Sequence, residues 1–205
     1  MEPHWKKLRE EYADKIDWQY VMGGMVQDWN SYNDPMNAVT RPLQFGPIWM
    51  HASQVSQRPM DATVWHTDPP ASSYPSCIAV ASAMLQSPLA GELLLNALRE
   101  AVMTRAQNIA RESVIFSIAG QLSETREDVF VLDDFQQAWK DGSGMDAFRK
   151  HLMQTRFLGI GRYPTLTFTQ SESKGIMITG YRPFDVLKNA LHQMLEQRHI
   201  KQNPS

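Results

Sequence analysis

Cysteine is nearly absent: Cys77 is the one thiol in 205 residues. That excludes, within these residues, an intrachain disulfide, a CxxC redox pair and a cysteine-based zinc site. No apolar run approaches the ~20 residues a membrane-spanning helix needs. The opening MEPHWKKLREEY also lacks the apolar core of a secretory signal. The chain therefore reads as cytoplasmic, with no membrane partner. An excess of either charge is missing as well, the net charge being -2, so no nucleic-acid partner is implied. The six histidines (His4, His51, His66, His151, His192 and His199) lack the i, i+4 spacing of a helical metal site. Gly159-Ile160-Gly161 lacks the third glycine and the preceding strand of a dinucleotide fingerprint. No nucleophile triad or carboxylate pair stands out, so neither a metal nor a cofactor is expected.

What is present describes a globular chain: 42% hydrophobic and 20% charged residues build a sizeable core at this length. Trp5, Leu8, Tyr12 and Ile16 recur at spacings of three and four between charged residues. They predict a one-sided amphipathic helix with Pro3 in its first turn. DWQYVMGG, residues 17–24, reads as a strand of about six residues stopped by Gly23 and Gly24. From 25 to 75, prolines punctuate a stretch that carries Trp29, Phe45, Trp49 and Trp65, which predicts short helices and packed turns.

Helical signals then take over. SSYPSCIAVASAMLQ offers serine caps and an early proline, with Cys77, Ala81 and Met84 on one face. Ser87-Pro88 opens a second helix and ARESVIFSIAGQL makes a third. Asp133 with Gln136, and Ser143 with Asp146, resemble capping boxes and predict two more, the latter stopping near Gly159. TLTFTQ and GIMITG read as a hairpin around SESK, and Pro183 opens a last helix with Phe184, Leu187, Leu191 and Leu195 inward.

The stretch LGIGRYPTLTF, residues 158–168, sets a proline against a strand that otherwise reads as buried. Proline removes a donor and forces the preceding residue to be extended, so Pro164 belongs at the start of the strand. Position alone reads as a trans proline opening an edge strand.

A helix ending in Leu158-Gly159, then GRYP, TLTF, a second strand and a terminal helix resembles the closing half of the thioredoxin fold. There a cis-proline precedes the third core strand. With YVMGG and SSYPSCIAVASAMLQ in matching places, the chain as a whole is similar to the DsbA-like, thiol-disulfide oxidoreductase branch. The resemblance implies an α/β, thioredoxin-like fold with an inserted helical domain: residues 1–24 and 155–205 form the thioredoxin-like part, 25–154 the insertion. Family members place a strand and a CxxC turn before their first helix, and MEPHWKKL resembles the helix start just past such a turn. The resemblance therefore implies a first strand that is missing, through N-terminal shortening or loss of the motif in the lineage. Without either cysteine, the 205 residues are expected to be redox-inactive.

What remains is a binding corner. The resemblance makes Tyr163, before Pro164, the residue whose main chain meets an extended peptide or glutathione, with Arg162 beside it. The Tyr163 side chain either lines the groove or packs on the first helix. Cys77 is the one candidate redox residue, and its helical face argues instead for a small buried hydrophobe. The tryptophans and methionines between Trp29 and Met84 pack as core or line an apolar groove like that of the 2-hydroxychromene-2-carboxylate isomerase branch. Three functions stand open: a DsbA-like oxidoreductase lacking its catalytic turn, a glutathione-dependent isomerase or transferase, and a non-catalytic peptide-binding adaptor. A missing central strand would leave about five ladder positions unpaired, each worth about 0.5–1.5 kcal/mol against a total stability of about 5–15 kcal/mol. The expected outcomes are poor solubility, direct pairing of the flanking strands, or a homodimer that fills the slot.

Overall fold

The computed structural model describes residues 1–170 and 174–202. Most of the SESK turn, residues 171–173, lies outside the described residues. The chain divides into two units, Met1–Gln19 with Arg156–Ser205, and Tyr20–Thr155.

In the first unit, helix α1 (Glu2–Glu11) opens with Glu2 and Pro3, an acid at the positive helix end and a proline where no N–H is needed. Strands β1 (Thr165–Gln170) and β2 (Lys174–Thr179) pair antiparallel, Thr165 opposite Thr179 through Gln170 opposite Lys174. The terminal helix, α9 in chain order (Phe184–Gln202), packs against α1 and both strands. Alternation along β1 sends Phe168 inward to meet Leu8, Tyr12, Ile178, Leu187, Leu191 and Met194 in one apolar cluster. Across the two helices Lys188 Nζ donates to Glu11 Oε2 at 2.9 Å, and Tyr12 OH hydrogen-bonds His192 Nε2.

The ladder has a defined polarity. Gly180 N–H donates to the Pro164 carbonyl at 2.8 Å. With this register, Leu166 and Phe168 exchange main-chain bonds with Ile178 and Ile176. The N–H and C=O groups of Thr165, Thr167 and Thr169 therefore point to the opposite edge of β1.

The strand expected over Asp17–Met22 does not form: this segment has no assigned strand, and the sheet contains only β1 and β2 among the described residues. A strand exists only against a ladder partner, and here none pairs with this segment. Trp18 is instead anchored by side chains. The Arg9 guanidinium lies 3.5 Å over its ring, and Trp5 meets it edge-on at 6.2 Å.

The second unit is helical among the described residues. A short 3-10 turn (Pro42–Gln44) leads into α2 (Phe45–Ser56), and the chain continues through α3 (Val64–Thr67), α4 (Tyr74–Met84), α5 (Pro88–Thr104), α6 (Glu112–Thr125), α7 (Leu132–Lys140) and α8 (Ser143–Phe157). Ser87 caps α5 as expected, its side chain accepting from Ala90 N–H. The capping box expected at Asp133 is absent: Val131 is the N-cap, and Asp133 and Asp134 lie within the first turn, where their charge meets the helix dipole. Ser143 is the first residue of α8 and not a cap before it, and Asp141 Oδ1 takes the Ser143 N–H at 2.8 Å.

Helix α4 is buried on several sides, through Ala79, Val80, Ala81, Ser82 and Ala83. Its small side chains permit close approach. A Cβ built on Gly144 would stand 1.8 Å from Ser82 Oγ, so only glycine fits where α8 begins. Phe130, Phe135 and Phe148 are fully buried in the same core.

Candidate functional site

Helix α8 ends where Gly159 adopts φ +65° and returns its N–H to the Arg156 carbonyl at 3.0 Å. The next residues turn over the surface, and the Tyr163–Pro164 peptide is cis. Gly161, Arg162, Tyr163 and Pro164 are exposed, Tyr163 at 36%. The corner is tied down behind them. Thr165 Oγ1 lies 2.6 Å from the Arg162 carbonyl, to which it donates, and 3.2 Å from Thr179 Oγ1. Pro164 has no N–H to pair, and its carbonyl completes the ladder to Gly180.

That pairing brings in residues the linear reading did not single out. Tyr181 comes directly after Gly180, and its hydroxyl lies 2.9 Å from His4 Nε2, with the two rings 5.6 Å apart. The first turn of α1 and the exit of β2 thus meet beside the corner. No local pattern links His4 to Tyr181, 177 positions apart, because only the hairpin register brings them together. Tyr181 is 44% exposed, so the corner carries two accessible tyrosines, Tyr163 and Tyr181, with Arg162 beside them. Such a surface suits a polypeptide, since tyrosine and arginine bury large area and donate hydrogen bonds.

Cys77 lies elsewhere, on α4 in the other unit, packed against the second unit's core. Burial pushes its thiol from an ordinary value of 9.0 up to about 11, against the opposing effect of a hydrogen bond from the Gly24 backbone. At neutral pH it is a thiol and not a thiolate, and the thiolate is the nucleophile.

The aromatic residues of 25–75 stack largely on one another. Phe45 and Trp65 stack at 4.8 Å, Trp49 meets Trp65 edge-on at 5.2 Å, and Trp29 Nε1 donates to the Pro70 carbonyl at 2.8 Å. An open depression of about 450 Å³ beside them is lined by Leu43, Pro47, Met50 and Trp65. His151 sits on α8, its Nδ1 accepting the Met22 N–H at 3.4 Å, and burial lowers its pKa. Among the described residues, no group of three or more histidine, cysteine or carboxylate side chains is placed to hold a metal ion. No helix among them is long and apolar enough to cross a membrane.

A family model described as thioredoxin matches residues 1–189. Among curated proteins, the chain is 26% identical over 205 residues to the ClpXP adapter protein SpxH of Halalkalibacterium halodurans, covering 99% of this chain and 65% of that one. It is 29% identical to the adapter of the same name from Shouchella clausii, over 100% of this chain and 65% of the relative. The Bacillus subtilis SpxH is 29% identical over 95% of this chain and 62% of its own length. The chain thus spans slightly less than two thirds of the length of these relatives.

Among solved structures, it superposes with TM-score 0.74 on a Nitrosomonas europaea protein provisionally assigned as a protein disulfide isomerase, at 18% identity, covering 95% of this chain and 89% of the other. The cytosolic disulfide reductase DsbM of Pseudomonas aeruginosa gives 0.64 at 15% identity, covering 95% and 94%. At such identities the likeness is one of fold, and it is the DsbA-like fold in both. Helices, a small antiparallel sheet and the match over nearly the whole length agree: the chain belongs to the thioredoxin family, with a DsbA-like fold.

Proposed function

We propose that this chain is the recognition part of a cytoplasmic protein adaptor, holding a client polypeptide at the Arg162–Tyr163–Pro164 corner for delivery to the ClpXP protease. A single contrast supports this most. The sole thiol of these residues, Cys77, is partly buried against a core and protonated at neutral pH, while Arg162, Tyr163 and Pro164 stand exposed at the start of β1. This stretch offers a surface and no nucleophile. The relatives named as ClpXP adapter proteins, aligned along nearly all of the chain, supply the kind of partner.

In this reading residues 1–24 and 155–205 carry recognition, and 25–154 form the helical support. Arg162 supplies charge-assisted donors to client carbonyls or carboxylates, and Tyr163 and Tyr181 supply apolar area with a hydroxyl at its rim. Glutathione is the competing small ligand for the same corner. Comparing protein half-lives in cells that carry or lack the gene, with ClpX present or depleted, tests the proposal. A set of proteins stabilised equally by either loss is the expected outcome. Unchanged half-lives, or insulin-reducing turnover by the purified chain, overturn it. Capture of a client abolished by millimolar reduced glutathione would move the corner to a thiol ligand.

A further inference from the structure

We infer that a trough beside α2 and α3 is a second docking surface, whose occupant is an amphipathic helix of another protein with aspartate or glutamate at both ends of its apolar face. The trough is lined by residues of the second unit and uses none of the corner's side chains.

The sequence around α2 builds it. Phe45 is buried and Trp49 meets Trp65, which fixes the inward side of the helix. Leu43 in the 3-10 turn, then Pro47 and Met50, follow at spacings of four and three and line the depression of about 450 Å³. Leu43 is 60% exposed and Met50 61%. A solvent face normally holds charge, yet Phe45–Ser56 contains no lysine, arginine, aspartate or glutamate. A second depression of about 530 Å³, lined by Pro59, Met60, Asp61 and Thr104, shares Met50 and Ala62 with the first. The two run together across Met50 as one largely apolar trough, the kind of surface that marks an interaction site.

Shape and backbone select a helix. Both depressions are open, so neither wraps a small ligand on most of its surface. The lining residues belong to helices and turns and present no strand edge, so an extended peptide finds no ladder there. An occupant over an apolar floor must then satisfy its own main-chain groups, as a helix does. Met50 and Met60 adapt their unbranched side chains to the face laid on them.

Charge selects an acidic one. Arg41 lies two residues before Leu43 of the first depression, and Arg58 one before Pro59 of the second. Both are exposed, and among the described residues no carboxylate pairs with either guanidinium. The nearby carboxylates are engaged. Asp61 Oδ1 accepts from the Thr63 N–H at 2.9 Å and from Thr63 Oγ1 at 2.6 Å, and Glu100 pairs with Arg105 at 2.7 Å. Residues 41–66 thus hold two arginines against one carboxylate, in a chain whose net charge is -2. Acidic groups at the ends of the incoming helix would meet a cation beside each depression.

The full 205-residue chain provides the test. Fluorescence anisotropy of a labelled synthetic helix, with leucines at i, i+3, i+4 and i+7 and glutamates at both ends, should report binding that added salt weakens. The same leucine stripe with lysines at the ends should bind roughly tenfold or more weakly. Met50→Glu alters an exposed position, and should abolish binding with an unchanged melting temperature. Arg41→Glu with Arg58→Glu should reverse the preference between the two peptides. With methyl-labelled methionine, the Met50 and Met60 signals should shift on titration while Met153 stays in place. Arg162→Ala with Tyr163→Ala should leave the peptide affinity unchanged, which separates this surface from the corner. Absence of binding, equal affinity for the two peptides, or binding that survives Met50→Glu overturns the proposal. So does a doubling of mass in sedimentation, or flotation with phosphatidylglycerol vesicles, that Met50→Glu abolishes, since either gives the trough to a different occupant.

Discussion

At the scale of single residues, burial decides what a reactive side chain can do. Cys77 has a thiol whose pKa is raised from 9.0 to about 11. Raising a pKa favours the protonated form in the folded state. The stabilising contribution is therefore complete below pH 9 and is lost as pH rises through about 11. Stability measured by chemical denaturation should fall across that window, and Cys77→Ala should flatten the fall; an identical slope in the variant would show the thiolate is not buried. Alkylation of Cys77 in the folded chain at neutral pH should likewise be slower than in the denatured chain.

His151 works on the acid side. Burial depresses its pKa below 6.5, so its contribution is present above that value and is lost as pH falls through the depressed one. The protonated ring also ceases to accept the Met22 N–H. Melting temperature should drop on acidification, and the drop should be smaller in His151→Phe.

Among elements, close approach and capping outweigh propensity. Gly144→Ala places a methyl against Ser82 Oγ, inside a core where Ser82 has no exposed surface. Overpacking of this kind costs about 1–3 kcal/mol. Adding Ser82→Ala should restore part of it, which a double-mutant cycle reads directly. Additive losses would mean that α8 starts elsewhere in solution. Ser87→Ala should cost about 1 kcal/mol by removing the acceptor for Ala90 N–H.

The same scale shows what a linear reading sees. Ser87-Pro88 announced α5 because the cap and the N–H that donates to it lie within one turn of each other. The Asp133 capping box failed because Val131 already adopts the extended N-cap conformation two residues earlier. The strand over Asp17–Met22 failed for a different reason: aromatic and β-branched residues favour an extended chain but cannot supply the neighbouring ladder.

For the whole molecule, the adaptor reading predicts that recognition and fold stability separate. Arg162→Ala with Tyr163→Ala removes exposed side chains and should leave the melting temperature nearly unchanged. The same pair should weaken client capture by roughly tenfold or more, as truncation of interface anchors does. A large loss of stability would instead make Tyr163 a packing residue.

The chain by itself determined most of the helices, the terminal hairpin and the place of Pro164, because turn chemistry, caps and hydrophobic period are local. It also determined that one thiol alone is present, since composition needs no geometry. Tertiary structure decided the rest. The pairing of His4 with Tyr181, the α4–α8 contact at Gly144 and the outward edge of β1 depend on register and packing between distant residues, which no window of neighbouring residues contains. The protonation of Cys77 depends on how deeply α4 is covered, and burial is a property of the folded chain alone.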